Sequence, residues 1–414
     1  MRAVPGLILR DPSLRMVAGG VFLFGTFSAS LGIHQSLIAV RVFGLTDPEY
    51  AVVLFLAMAV SVTASVGIGI VSDQQPRRKA MAVLSAAAGV LGPLLVWATD
   101  RPLAFVLAHI LLMPVAGTLF GQFFALARLA SSRYAPAERD GILAVLRALF
   151  AVPFTLVLPL WGLAFRDEVP LITIYPAIGL VAAALLALIL RDWPHDSRAP
   201  WREDRSGLSL RAALGEIASG PVMLRTVLMG AVQAGGAISG IVLGLLFARA
   251  GRGAGDLGLF FGLFVVVEIA GTLLAGMLAR HVPRLWLIAS GVATYALFLA
   301  LLPFLAGTRW LWLLILPAGA GGALIYTLAI AYLQDLLHAR PGAGASLIAI
   351  QRVSAEGLST AIYGFGAWAQ GYATVSLLGA VATLTAMGMI LRLDRGGLRP
   401  GRSSVPPRAA SGTP

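Results

Sequence analysis

The chain has 414 residues, of which 58% are hydrophobic and only 12% charged, and its mean hydropathy is +0.86. This composition excludes a soluble globular domain, which needs more charged residues on its surface, and predicts an integral membrane protein. The net charge of +12 does not indicate nucleic-acid binding, because the arginines are scattered between apolar runs. There is no cysteine and only one lysine, Lys79. Disulfides, thiol chemistry and a phosphate-binding loop that ends in lysine are therefore excluded.

Twelve apolar runs follow one another along the chain, each long enough to cross a hydrocarbon core as a helix. We therefore expect an all-α integral membrane protein with twelve transmembrane helices. The predicted spans are 16–40, 50–72, 80–98, 102–126, 141–165, 169–190, 222–248, 256–279, 285–306, 310–333, 342–366 and 371–391.

One loop pattern occurs twice, and Gly276 of the second copy lies 207 residues after Gly69 of the first, which is half the chain. Each copy stands where an apolar run ends and a short basic loop begins. Gly69, Asp73, Pro76 and Arg77 recur, with one exchange, as Gly276, Arg280, Pro283 and Arg284. The repeat predicts two pseudo-symmetric six-helix bundles, the architecture of many secondary transporters.

The longest polar stretch between spans separates the two bundles. We predict an N-terminal bundle over 1–190, a cytoplasmic linker over 191–221, a C-terminal bundle over 222–393 and a disordered cytoplasmic tail over 394–414. Most of the 31 basic residues fall on the side of the chain termini. By the positive-inside rule, both termini are then cytoplasmic and the protein lies in the inner, cytoplasmic membrane.

The sequence between spans two and three, Gly69-Ile-Val-Ser-Asp73-Gln-Gln-Pro76-Arg77-Arg78-Lys79, resembles the signature loop of the major facilitator superfamily. Further segments resemble the sugar efflux transporters of that superfamily; they are 124–128, 146–148, 267–269, 332–336 and 341–342. The resemblance implies alternating access to a central cavity. It also implies that spans three, six, nine and twelve face lipid, while the other eight line the cavity.

Four residues near the loops are assigned to gating: Gly69, Asp73, Arg77 and Asp335. An acid at the end of one helix that faces a helix N-terminus or an arginine of its neighbour can lock one face of the bundle. Gly69 would allow close helix approach. The alternative is that Asp73 and Arg77 only end spans and obey the positive-inside rule. We expect Asp73→Asn to slow transport while leaving expression and substrate binding intact.

Charged residues inside the spans are few, and insertion scales assign each a cost of roughly 2.5 to 3.5 kcal/mol near the bilayer centre. Arg147 lies in span five, Glu268 in span eight, and Arg352 and Glu356 in span eleven. Glu268 is predicted to couple transport to protons, with a permanent Glu268–Arg352 ion pair as the alternative. Glu356 either neutralises Arg352 one turn away or acts in transport. Arg147 either contributes to the cavity or extends to the cytoplasmic surface.

Uncharged polar residues complete the candidate binding site. His34 and Gln35 lie in span one and Gln233 lies in span seven, while Gln122 and Tyr326 belong to spans four and ten. Amides and carboxylates suit sugar hydroxyls, and aromatic faces suit the C–H face of a sugar ring. The alternatives are interhelical hydrogen bonds for the glutamines and a neutral packing role for His34.

The sequence thus predicts a secondary active transporter, not an enzyme, that exports a small sugar or sugar-like solute, with proton antiport as its energy source. We expect a monomer in the lipid bilayer, without cofactor, metal ion or nucleic-acid partner. One alternative is a multidrug or lipophile exporter of the same fold. Another is a polytopic membrane enzyme, which is disfavoured because His195, His281 and His338 are dispersed.

Overall fold

The computed structural model describes residues 4–74, 77–194, 220–335, 341–369 and 371–394. Side chains within 72–74 and 334–335 and most of those within 341–349 are outside the description. Most of the predicted linker and nearly all of the predicted tail lie outside the described residues.

In the described ranges, every long element is a helix. A short helix, Val4–Arg10, comes first. The long helices are α1 Pro12–Gly32, α2 Asp47–Gln74, α3 Arg78–Thr99, α4 Pro102–Ser131, α5 Pro136–Arg166, α6 Ile174–Asp192, α7 Gly220–Arg249, α8 Ala254–Leu278, α9 Arg284–Leu305, α10 Ile315–Asp335, α11 Pro341–Ala369 and α12 Tyr372–Leu393. Eleven of the described helices are long and apolar enough to cross a membrane; the remaining long helix is α11, which carries Arg352 and Glu356. The prediction of an all-α membrane protein is confirmed.

The first span differs from its predicted range of 16–40. Helix α1 begins at Pro12, where Asp11 caps it by accepting hydrogen bonds from the backbone N–H groups of Ser13 (2.9 Å) and Leu14 (3.3 Å). It ends at Gly32, a residue of low helix propensity, and a short helix and a π-helical turn over Ile38–Val42 continue the run. The apolar run is continuous in sequence, but the helix is broken near His34.

The two halves pack in the same way. In the first half, α1 packs on α5 and α6, α3 packs on α6, and α2 packs on α4. In the second half, the helices six places later make the matching pairs, since α7 packs on α11 and α12, α9 on α12, and α8 on α10. The main contacts between halves are α5 with α8 and α2 with α11. These two contacts correspond to each other, because α2 matches α8 and α5 matches α11 in the repeat.

The helix ends define two faces of the bundle. We call the face that carries Asp11, at the start of α1, and Asp394, after α12, the terminal face. The other face, which carries the start of α2 at Asp47 and the start of α8 at Ala254, is called the opposite face.

Polar clusters on the terminal face stay within one half. In the first half, Arg133 and Tyr134, from the α4–α5 loop, both bond the carboxylate of Asp11, and burial raises the pKa of Tyr134. In the second half, the guanidinium of Arg225 donates to Asp394 (2.8 Å), and the Tyr332 hydroxyl donates to the same carboxylate (2.7 Å). At this face, the ion pairs and hydrogen bonds of each cluster therefore connect residues of the same half.

Candidate functional site

On the opposite face the halves touch directly, and glycines make this contact possible. A Cβ atom at Gly258 of α8 would lie 2.6 Å from the carbonyl oxygen of Leu158 on α5. A Cβ atom at Gly262 would lie 2.6 Å from Cγ of Pro159, and one at Gly162 would lie 2.9 Å from the carbonyl oxygen of Gly255. Small residues let helix backbones approach closely within a membrane. Helices α5 and α8 are thus in backbone contact near this face.

Asp256, in the first turn of α8, adds an ionic link to this contact. Its carboxylate accepts from Arg166 at the end of α5 (2.8 Å) and from Arg252 of its own half (2.9 Å). Arg252 also donates to the backbone carbonyl oxygens of Ala306 and Thr308 (2.6 Å for the latter). Asp256 therefore connects the two halves through Arg166 and is held in place by Arg252.

Asp47, at the start of α2, makes the corresponding link with neutral donors. Its carboxylate accepts hydrogen bonds from the hydroxyls of Tyr363 on α11 (2.9 Å) and Tyr372 on α12 (2.7 Å). The guanidinium of Arg249 lies over the Tyr372 ring, 4.0 Å from its centroid. Asp47 and Asp256 begin corresponding helices, and both bond to the other half.

At the terminal face, by contrast, a cavity of about 320 Å³ opens between the halves. We call it the terminal cavity. Its described lining comes from α2, α3 and α4 of the first half, from α11 of the second, and from Trp193 after α6: Ser65, Ile68, Gly69, Arg78, Gly117, Thr118, Phe120, Gly121, Gln122, Ala125, Trp193 and Arg352. The halves are joined at the opposite face and separated by the terminal cavity at the other. In this structure a solute can therefore enter the space between the halves from the terminal face.

A hydrogen-bond network supports one wall of the terminal cavity. The amide nitrogen of Gln122 donates to the hydroxyls of Ser85 (2.9 Å) and Thr118 (3.1 Å), and these hydroxyls lie 2.8 Å apart. Phe120 on the same wall packs against Phe124 and Phe150, with ring centroids 4.8 and 4.9 Å away. The first half thus presents an amide beside an aromatic cluster.

Arg352 lines the terminal cavity and is paired within its own helix. Its Nε donates to the Glu356 carboxylate at 2.7 Å, one turn further along α11. The neutralising contact weighed for Glu356 is therefore present. Among the described residues, Glu268 forms no ion pair with Arg352. Arg147 on α5 is exposed, and the described part of the chain provides no ion-pair partner for it.

Glu268 lies on α8 in a different setting. Its Oε1 is 3.4 Å from the position of a Cβ atom on Gly322 of α10, and Tyr326 lies one turn after Gly322 on the same helix. The Tyr326 hydroxyl lies directly over Gly236 of α7, where a Cβ atom would be only 1.7 Å from it. Nearby, the hydroxyls of Ser239 and Tyr295 bond at 2.7 Å. Neither an ion pair nor a hydrogen bond to Glu268 occurs among the described residues.

The other predicted polar residues, His34, Gln35 and Gln233, lie away from the terminal cavity. His34 is fully buried, its Nδ1 is 2.9 Å from the Ser30 carbonyl oxygen, and its ring meets Phe165 edge-on at 5.2 Å. Gln35 contacts the Tyr50 hydroxyl. Gln233, half-buried on α7, lies one turn before Gly236. His34 and Gln35 therefore do not reach the terminal cavity, and Gln233 belongs to the α7 segment beside Tyr326.

The residues assigned to gating are only partly described. Gly69 lines the terminal cavity, and no described atom outside its own stretch of helix lies within 4 Å of the position its Cβ would take, so the described residues show no close helix contact there. Arg77 is exposed just before α3. The side chains of Asp73 and Asp335 lie outside the description.

Sequence reasoning missed Asp47 and Asp256, the residues that join the halves on the opposite face. A signal was available, because Asp256 lies 209 residues after Asp47, close to the spacing of the loop repeat. The partner tyrosines gave no such signal. No group of three or more potential metal ligands occurs in the part of the chain that the structure describes.

A sequence profile of the Major Facilitator Superfamily matches residues 16–361. The chain belongs to the major facilitator superfamily. It is a multi-pass membrane transporter of that superfamily. A Deinococcus radiodurans protein named as a sugar efflux transporter is 29% identical over 395 residues, which cover 91% of this chain and 96% of that protein.

Solved structures share the fold at low sequence identity. The nucleoside transporter NupG superimposes with a TM-score of 0.69 at 14% identity, covering 93% of this chain and 98% of NupG. A POT family transporter in complex with 5-aminolevulinic acid gives a TM-score of 0.70 at 10% identity, covering 92% of this chain and 96% of that one. These similarities establish the architecture and leave the solute open.

Proposed function

We propose that this protein exports a small sugar or sugar-like solute across the cytoplasmic membrane by alternating access, in exchange for protons, with both termini in the cytoplasm. The observation that carries the proposal is the difference between the faces. The halves are joined through Asp47 and Asp256 on the opposite face, while the terminal cavity opens between them on the other. Two bundles that rock about a central site alternate between such states. The sugar efflux relative supports the class of solute.

Glu268 is the proposed proton carrier. A carboxylate in the middle of a transmembrane helix is costly unless it is paired, and Glu268 has no cation partner among the described residues. Taking up a proton removes that cost. Arg352 is held by Glu356 in this state, so it does not compete with a proton for Glu268. Movement of α11 against α8 during the transport cycle would change this environment and release the proton.

The polar groups beside Glu268 suit a polyhydroxylated solute. Tyr326 and Gln233 lie near the same level of α10 and α7, and neither makes a side-chain hydrogen bond to another described residue. A hydroxyl and an amide offer both donors and acceptors to sugar hydroxyls. We propose these two residues, with Glu268, as the central solute site.

Transport in inverted vesicles tests this function. Labelled sugars should accumulate when an imposed pH gradient can drive antiport, and lipophilic drugs should not. Glu268→Gln should still exchange sugar down its own gradient but lose accumulation driven by pH. Glu49→Gln is the matched control, because Glu49 lies on the opposite face and, among the described residues, bonds only Thr46.

Two results would contradict the proposal. Normal pH-driven accumulation by Glu268→Gln would remove Glu268 from proton coupling. Transport of lipophilic drugs without any sugar transport would replace the sugar assignment with that of a lipophile exporter.

A further inference from the structure

Two arginines from different halves line the terminal cavity. Arg78 is the first residue of α3, and Arg352 lies in the middle of α11. No aspartate or glutamate is found among the described lining residues. A guanidinium group that lines a cavity offers an anion charge-assisted hydrogen bonds. Its volume of about 320 Å³ is at the lower end of the range for small-molecule sites.

Arg352 is oriented but not saturated. Glu356 accepts a hydrogen bond from its Nε, and the two terminal nitrogens donate to no acceptor in the described part of the chain. A guanidinium carries five N–H donors in a planar fork that matches a carboxylate or phosphate group. The ion pair with Glu356 thus holds the side chain in place and leaves most of its donors for a ligand.

The facing wall provides the neutral half of a sugar site. Ser65 contributes a hydroxyl, and Phe120 and Trp193 contribute apolar ring surfaces. The Oε1 atom of Gln122 is buried and accepts no hydrogen bond from the described residues. A buried acceptor without a donor is unfavourable, so the Gln122 amide keeps an acceptor that the described residues do not satisfy.

We propose that the terminal cavity binds an acidic sugar, a monosaccharide that carries a carboxylate or phosphate group. The anionic group lies against the terminal nitrogens of Arg352, and the ring hydroxyls lie towards Gln122 and Ser65. This inference rests on the proposed function and names its substrate class; the terminal cavity is the place where the solute binds before it reaches the central solute site at Glu268.

Binding to the purified full-length protein, measured by calorimetry, tests the inference. Glucuronate and glucose 6-phosphate should bind at least about tenfold more tightly than glucose, since charge-assisted hydrogen bonds are roughly twice as strong as neutral ones. Arg352→Gln should reduce this preference to roughly threefold or less, because it removes the charge and the fork. Arg101→Gln, which removes an exposed guanidinium on the opposite face, should keep the preference.

Three outcomes would overturn the inference. Equal affinity for glucose and glucuronate would show that Arg352 does not recognise an acid. A preference that survives in Arg352→Gln would place the acid elsewhere. Binding of inorganic phosphate, or of glycerol phosphate as a mimic of a lipid headgroup, as tightly as glucose 6-phosphate would show that the cavity recognises the anion without the sugar.

Two further measurements keep the test decisive. If Arg352→Gln does not fold, Arg352→Lys, which keeps the charge without the fork, should show a reduced preference, and an unchanged one counts against the inference. In vesicles, the unsubstituted protein is tested with neutral and acidic sugars side by side. If it transports neutral sugars and shows no preference for acidic ones, this inference is overturned and the proposed function stands. Absence of transport for neutral and acidic sugars alike would overturn the proposed function itself.

Discussion

The terminal and opposite faces use the same residue types for different ends. On the terminal face, Asp11 and Asp394 bond arginine and tyrosine side chains of their own half. On the opposite face, Asp47 and Asp256 bond tyrosine and arginine side chains of the other half. Whether an acid stiffens a bundle or joins two bundles therefore depends on which helix supplies its partner. The bonds across the halves on the opposite face can break without loosening either half.

The two links on the opposite face also differ from each other. Asp256 is bonded by two guanidinium groups, and Asp47 by two phenol hydroxyls. Attraction between exposed opposite charges is screened by salt, with a Debye length of about 8 Å at physiological ionic strength, whereas hydrogen bonds to neutral donors are less sensitive. The second half is thus held to α5 by an ionic link and to α2 by a largely neutral one.

The glycine contact between α5 and α8 should have the largest effect when it is disturbed. Gly258→Leu places a side chain against the Leu158 carbonyl oxygen, and we expect it to disfavour the closed opposite face by about 2 to 3 kcal/mol, the usual cost of overpacking. Because the chain has no cysteine, spin labels at Asp167→Cys and Gly253→Cys can report the separation of the halves there. Electron paramagnetic resonance distances should lengthen.

Gly388→Ala is the control for this change, because the position of its Cβ atom is open. Unchanged label distances in Gly258→Leu would mean that α5 and α8 do not form the closing contact.

Removal of the ionic link should have an intermediate effect. Asp256→Ala leaves Arg166 and Arg252 close together without their shared anion, and we expect the closed opposite face to lose about 1 to 2 kcal/mol, with the partial exposure of Arg166 limiting the loss. The same spin labels measure the shift. In the unsubstituted protein, raising the salt concentration should move the distances in the same direction. In Asp256→Ala this lengthening should be lost or reversed, because salt then screens only the repulsion between the two guanidinium groups. A lengthening that persists in Asp256→Ala would assign it to other charges.

Removal of one neutral hydrogen bond should have the smallest effect. Tyr372→Phe keeps the ring under Arg249 and deletes only the hydroxyl that donates to Asp47, so we expect a loss of about 0.5 to 1.5 kcal/mol. Tyr332→Phe is the matched control, since its hydroxyl bonds Asp394 within the second half. The control should lower thermal stability without changing the label distances. Equal distance changes in both variants would argue against the distinction between the faces.

The sequence was sufficient to predict the fold, because the hydrophobic runs mark the transmembrane helices and the duplicated loop marks the two halves. The Arg352–Glu356 contact was also predictable, since residues four apart on a helix are neighbours. The partners of Asp47 and Asp256 were not, because each depends on which helices of different halves pack together. Glu268 was identified by its charge within an apolar run, but its position against Gly322 and Tyr326 follows from the packing of α8 on α10. The break near His34 was hidden by continuous hydrophobicity.

The self-contained clusters on the terminal face have a consequence for biosynthesis. Asp11, Arg133 and Tyr134 are all synthesised before the second half begins, and Arg225, Tyr332 and Asp394 all belong to the second half. Domains of large proteins fold as units, the N-terminal one first as the chain emerges from the ribosome. The first bundle can therefore complete its own polar bonds in the membrane while the second is still being translated, and assembly is left to the docking of two finished units.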